Sequence, residues 1–217
     1  LLPIPPVRST VGYRSYLAGK WHLSDQMVEK AGDETRISKQ SWPIARGFDR
    51  FYGTIAGAGN YFFPAALVED ERPIVAEGED YYYTDAISER AAAFVREHAA
   101  RHSGQPFFLY VAYTAPHWPL HAREEDVSRY RGRYDSGWDA LREERHARML
   151  ELGVVGRRWP LSPRDPDAPS WEEAGQKAWQ TRRMEVYAAQ VEVMDRGIGR
   201  IVSALEETGF LDDTLLL

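Results

Sequence analysis

The sequence predicts an α/β fold with a mostly parallel central sheet flanked by helices. Phe107-Phe-Leu-Tyr-Val-Ala-Tyr113 is apolar throughout, as a strand covered on both faces would be. The stretches from Thr84 to Gly104 and from about Thr181 to Glu207 repeat apolar residues at the helical period. Taken along the chain, the elements run strand, helix, strand, helix, strand, the order expected of a parallel sheet.

The first strand is read in Arg14-Ser-Tyr-Leu-Ala-Gly-Lys-Trp-His22, after a turn at Val11. Asp25 to Arg46 is polar and loop-like, and Gly47-Phe-Asp-Arg-Phe-Tyr-Gly53 then concentrates aromatics. A small-residue loop, Ala56 to Asn60, precedes Tyr61-Phe62-Phe63-Pro64, and Glu69 to Glu79 predicts a short hairpin around Glu71-Arg72-Pro73. Thr84 has the N-cap signature of a helix carrying Ala86, Ile87, Ala91, Phe94 and Val95 on one face, stopped by Gly104 and Pro106. From Glu124 to Trp179 helical pieces are interrupted by the proline-rich stretch 160–169. The last helix carries Val186, Ala189, Val193, Ile198, Ile201 and Leu205, with Gly209 as its cap. Leu215-Leu-Leu217 is expected to open another buried strand.

Composition narrows the function classes. At 217 residues, 43% hydrophobic and 12% aromatic, the chain can bury a sizeable core, and one domain is expected. A net charge of −6 offers no basic field for nucleic acid, so no nucleic-acid partner is expected. The longest apolar run, Phe107 to Tyr113, is too short to span a membrane. Zero Cys excludes disulfides, thiolate zinc sites and a cysteine nucleophile. Leu1 to Arg8 lacks the basic start and unbroken apolar core of a signal peptide.

Two segments can carry chemistry. In Gly19-Lys20-Trp21-His22 the alternation of a strand would put Lys20 and His22 on one face and Trp21 on the other. Such a pair can clamp an oxyanion, or be a surface lysine beside a core-edge histidine. His117 follows the apolar strand between Pro116 and Pro119, which restrict the backbone on both sides. It falls at the carboxyl end of that strand, where open α/β sheets bind ligands, and could donate to an ester oxygen or merely cap a turn. His117 and His121 have an H-x3-H spacing, but Pro119 argues against the helix that metal binding on one face would need. His98, His102 and His146 lie on charged helical stretches and are expected to be solvated. Asp195 is expected to be surface or ion-paired. Gly57 to Tyr61 is a weak phosphate cradle and can instead line a pocket with Tyr61 and Phe62.

Together these segments resemble the sulfatase family of the alkaline-phosphatase-like superfamily, arylsulfatase type. Gly12-Tyr13-Arg14 leading to Gly19-Lys20-Trp21-His22-Leu23 is similar to a family signature, and Arg46-Gly-Phe-Asp-Arg-Phe-Tyr-Gly53 to its continuation. Phe107 to Leu120, with Ala115-Pro-His-Trp-Pro119, resembles the arylsulfatase strand and histidine loop. Tyr187 to Asp195 and Gly209 to Thr214 resemble the helix before a further strand. The resemblance implies residues 11–217 as part of the N-terminal catalytic domain, with residues 1–10 an atypical start whose three prolines forbid a helix.

The activity it implies is hydrolysis of small-molecule sulfate esters by a formylglycine made from Cys or Ser in C/S-x-P-x-R, beside a calcium ion. Lys20 and His22 would hold the sulfate and the formylglycine hydroxyls, and His117 would face the ester oxygen. No C/S-x-P-x-R occurs in the sequence, and the family's calcium-binding carboxylates would fall before residue 1 and after Leu217. The expectation is therefore an inactive internal fragment, poorly soluble by itself. A phosphodiesterase or phosphonate monoester hydrolase of the same superfamily, and a non-catalytic remnant, are the alternatives.

Overall fold

The computed structural model describes residues 10–24, 38–57 and 59–217, so the expectations for residues 1–9 and 25–37 lie outside the described residues. The strands are β1 (Arg14–Gly19), β2 (Arg50–Thr54), β3 (Leu67–Glu69), β4 (Arg72–Pro73) and β5 (Phe107–Ala112). They form one sheet in the order β4-β3-β2-β1-β5. β1 lies between β2 and β5 and is parallel to both, while β3 and β4 add antiparallel strands beyond β2. The sheet is thus mixed and mostly parallel about its centre, as the sequence predicts.

β2 grows out of the aromatic segment because its neighbours pin it. Gly47, at φ 96, closes the short 3-10 turn Ile44–Arg46 in a left-handed conformation that a glycine adopts without strain. The Asp49 carboxylate then accepts the Ser15 N–H at 2.8 Å and pairs with the Arg14 guanidinium, fixing the start of β1 against that of β2. The hairpin β3–β4 turns at Asp70, whose carboxylate accepts the Phe51 N–H at 2.9 Å.

Helix α1 (Tyr83–His102) covers one face of the sheet. Tyr16, Ala18 and Tyr52 of the strands pack there with Tyr83, Ile87, Ala91 and Phe94. Leu17, Phe51 and Val68 point to the other face and bury Trp42, Phe48 and Ile55. Thr84 is not the N-cap: the cap is Tyr82, without a side-chain capping bond, and Thr84 is buried inside the first turn. Its burial in that turn overrides the local capping preference.

Two compact units divide the chain, one of residues up to His121 with Gln190–Leu217, the other Ala122–Ala189. The second holds α2 (Glu124–Val127), α3 (Gly137–Glu151) and the first turns of α4 (Lys177–Glu207). Within it Trp138 and Trp171 meet edge to face, and buried Glu185 accepts the Gly132 N–H at 2.9 Å. In the first unit, Ala204 and Leu205 of α4 pack on Ala92 and Val95 of α1.

The ends of two elements differ from expectation. β5 is not covered on both faces, since Tyr110 is 49% exposed, and the strand also stands at the edge of the sheet among the described residues. Leu215 to Leu217 form no strand and are exposed. Apolar runs report the capacity to be covered, and coverage depends on what packs on each face. No described helix is long and apolar enough to cross a membrane.

Candidate active site

β2, β1 and β5 run parallel and end together, and small residues make that end narrow. Gly19 of β1 lies opposite Ala112 of β5. At Gly19, φ is +124 and a Cβ would stand 2.0 Å from the Ala112 carbonyl oxygen, so only glycine fits. A Cβ on Gly53 of β2 would stand 1.7 Å from the Gly19 carbonyl oxygen. The three strand ends therefore approach closely, and the loops that leave them start side by side.

The first loop carries Lys20 and His22. Although β1 ends at Gly19, pairing continues: the Lys20 N–H donates to the Ala112 carbonyl at 2.8 Å and the Trp21 N–H to that of Thr54 at 2.9 Å. Trp21 turns to the Phe48 side, its ring edge-on to Phe48 and its indole N–H on the Ser41 carbonyl at 2.8 Å. The His22 N–H donates to the Ile55 carbonyl at 3.1 Å, and His22 then takes a left-handed conformation, φ 54. Strand alternation thus stops short of His22, and its placement is decided by the loop. Lys20 is half-buried and His22 exposed.

His117 sits on the loop leaving β5. Its N–H donates to the Thr114 carbonyl at 2.9 Å, and its own carbonyl accepts the Tyr61 hydroxyl at 2.9 Å. Its Nδ1 lies 2.6 Å from the Trp118 carbonyl oxygen. A carbonyl only accepts, so Nδ1 carries a proton and Nε2 is the nitrogen left for a ligand. The imidazole itself is exposed.

Lys20 and His22 on one side and His117 on the other therefore belong to loops from adjacent strand ends, joined through the bond from Lys20 to Ala112. A narrow cleft by the ends of β2 and β5 is lined by Thr54, Gly57, Asn60, Tyr83 and Thr114, with the buried Thr114 hydroxyl lacking a hydrogen-bond partner, while Lys20, His22 and His117 are not among its lining residues. Tyr61 does not line it. It is buried, with burial pushing its hydroxyl above the ordinary tyrosine range, and it bolts the His117 loop in place. Asn60 is equally structural: its side-chain oxygen accepts the N–H groups of Phe62 and Phe63 at 2.8 and 3.1 Å.

The remaining histidines separate clearly. His98 is fully buried rather than solvated, because the charges around it lie on the other faces of α1. His102 faces the Arg14 guanidinium, and His146 bonds the Trp159 carbonyl. His121 packs its ring on Tyr61 and Phe62, and Asp195 is exposed on α4. Among the described residues no three His, Asp or Glu side chains are grouped to hold a metal ion.

Sequence reasoning missed Tyr83, whose hydroxyl accepts the Thr54 N–H at 2.7 Å and donates to the Thr54 Oγ1 at 3.2 Å. The signal available was the run Tyr81-Tyr82-Tyr83 at the start of α1, three rings whose hydroxyls need partners once buried. Tyr82 answers the same need by donating to the His121 carbonyl at 2.8 Å.

Comparison with known proteins gives a consistent picture. The Sulfatase family model matches residues 4–217. An uncharacterized sulfatase of Schizosaccharomyces pombe is 30% identical over 99% of this chain and 39% of its own length. The arylsulfatase of Klebsiella aerogenes is 30% identical over 95% of this chain and 44% of its own length. A protein solved in complex with its substrate D-glucosamine-2-N,6-O-disulfate shares the fold, with a TM-score of 0.59 at 22% identity over 97% of this chain and 47% of that one. The chain thus spans less than half the length of these relatives.

Proposed function

The chain belongs to the sulfatase family, and we propose that Lys20, His22 and His117 form the sulfate-holding side of an active site that hydrolyses sulfuric esters. The observation that carries this reading is the junction of β1 and β5, where the Lys20 N–H on the Ala112 carbonyl sets the Lys20–His22 loop beside the loop of His117. Loops at the carboxyl ends of parallel strands are where an α/β sheet offers a ligand free backbone and side-chain donors.

In this reading the Lys20 ammonium and the His22 ring donate to sulfate oxygens. Charge-assisted bonds of that kind strengthen as negative charge gathers there in the transition state. His117 acts on the leaving side. With Nδ1–H held on the Trp118 carbonyl, the imidazolium gives its Nε2 proton to the ester oxygen as the S–O bond breaks, and is left neutral. The sequence has no Cys and no C/S-x-P-x-R, so no residue here is assigned the attack on sulfur. By the family resemblance a calcium ion would neutralise the bound sulfate, but no cluster among the described residues fits it.

For the organic portion, the reading takes sulfated small molecules: aryl esters by likeness to the Klebsiella aerogenes arylsulfatase, or sulfated amino sugars by likeness to the disulfate-binding neighbour. Residues 11–217 are proposed as part of the catalytic domain. Titration of the protein with inorganic sulfate tests the site. Binding that weakens in Lys20→Ala and His22→Ala supports the reading, and affinity identical in both variants sinks it.

A further inference from the structure

His22 is exposed, left-handed and past the end of β1, so neither burial nor strand alternation aims its ring. Contacts with the segment after β2 do. The ring lies directly on Gly57: a Cβ there would stand 2.4 Å from His22 Cε1, 2.5 Å from Nε2 and 2.8 Å from Cδ2. These are the nearest atoms such a Cβ would meet, so the ring occupies the space that any other residue would fill. The same segment receives the backbone of the loop, through Trp21 N–H on Thr54 and His22 N–H on Ile55.

Thr54 is itself held from below. The buried Tyr83 hydroxyl takes the Thr54 N–H and donates to Thr54 Oγ1, which in turn donates to the Ala56 carbonyl at 3.3 Å, one residue before Gly57. Helix α1 thereby fixes the end of β2, and the end of β2 fixes the seat of His22. Burial pushes the Tyr83 hydroxyl well above the usual range, so it stays protonated and keeps both bonds.

We propose that Gly57 is a positioning residue for the His22 imidazole, with Tyr83 holding the Gly57 segment in register. The idea rests on the reading of His22 as a sulfate ligand. A ring displaced from its seat would still be present but would meet the anion at the wrong distance.

The test follows the His22 Cε1–H resonance by NMR, with His98 and His146 as internal references and inorganic sulfate as the probe. In Gly57→Ala the His22 signal should move, the reference signals and thermal midpoint should stay, and sulfate affinity should fall about tenfold. Tyr83→Phe, which keeps the ring and removes only the hydroxyl, should move the His22 signal in the same direction by less. His22 signals coincident with wild type in both variants would overturn the proposal, whether or not sulfate binds. Wild-type signals indifferent to sulfate would overturn the sulfate reading instead, leaving the displacement of the His22 signal to decide the seat.

Discussion

The hydroxyl of Tyr16 and Nδ1 of His98 lie 2.8 Å apart inside the core, tying β1 to α1. His98 Nε2 sits 2.9 Å from the Gln105 carbonyl, which can only accept, so Nε2 carries the proton and Tyr16 donates to Nδ1. Burial pushes the Tyr16 hydroxyl up to about 12, which keeps it a donor, and burial lowers His98 below its ordinary value.

An acid-sensitive stability follows from that pair. The unfolded chain releases His98 to its ordinary value of 6.5, so it binds a proton before the folded chain does. The His98 contribution is complete above that value and is lost as pH falls through it toward the lower folded one. Thermal unfolding followed from about pH 7.5 to about pH 5 should show the midpoint dropping. His98→Gln should flatten the slope, and an unchanged slope in that variant would rule His98 out as the cause. His98→Ala should cost about 2–4 kcal/mol at neutral pH through a cavity and two lost bonds.

Gly19→Ala should be far more damaging than its size suggests. Its Cβ meets the backbone of Ala112, not a mobile side chain, and φ is already strained for any other residue. A loss of about 3 kcal/mol or more is expected in denaturant unfolding, with the β1–β5 junction opened first. Hydrogen exchange at the Lys20 amide reads this directly, and protection equal to wild type would contradict it.

Lys20→Ala should weaken sulfate binding by about 1.5–3 kcal/mol, as expected for a charge-assisted hydrogen bond. Fold and thermal midpoint should hardly change, because the side chain is half-buried at a loop start. Calorimetric titration with sulfate at two salt concentrations checks it. Lys20→Arg, which keeps the charge with a different fork, should recover part of the affinity.

On the proposed role of His117 as the acid on the leaving side, His117→Ala should discriminate between leaving groups. Esters of poorly acidic alcohols need the Nε2 proton and should lose about 10²–10⁴ in kcat, whereas an activated aryl sulfate should lose little. Equal losses for both esters would remove His117 from proton transfer.

Local pattern determined much of this protein. The apolar run at Phe107, the helical periods of α1 and α4, the hairpin around Glu71 and the candidacy of Lys20, His22 and His117 were all legible, because each depends on residues near in sequence. The aromatic run around Phe51 was visible only as a cluster, since its strand exists through pairing with β1 and through Asp49 on Ser15. The burial of His98, the seat of His22 on Gly57 and the grip of Tyr83 on Thr54 were decided by the tertiary structure alone. Each is a contact between groups tens of residues apart. Periodicity says which face a side chain presents, but the packing of strand ends and helix decides what meets it there.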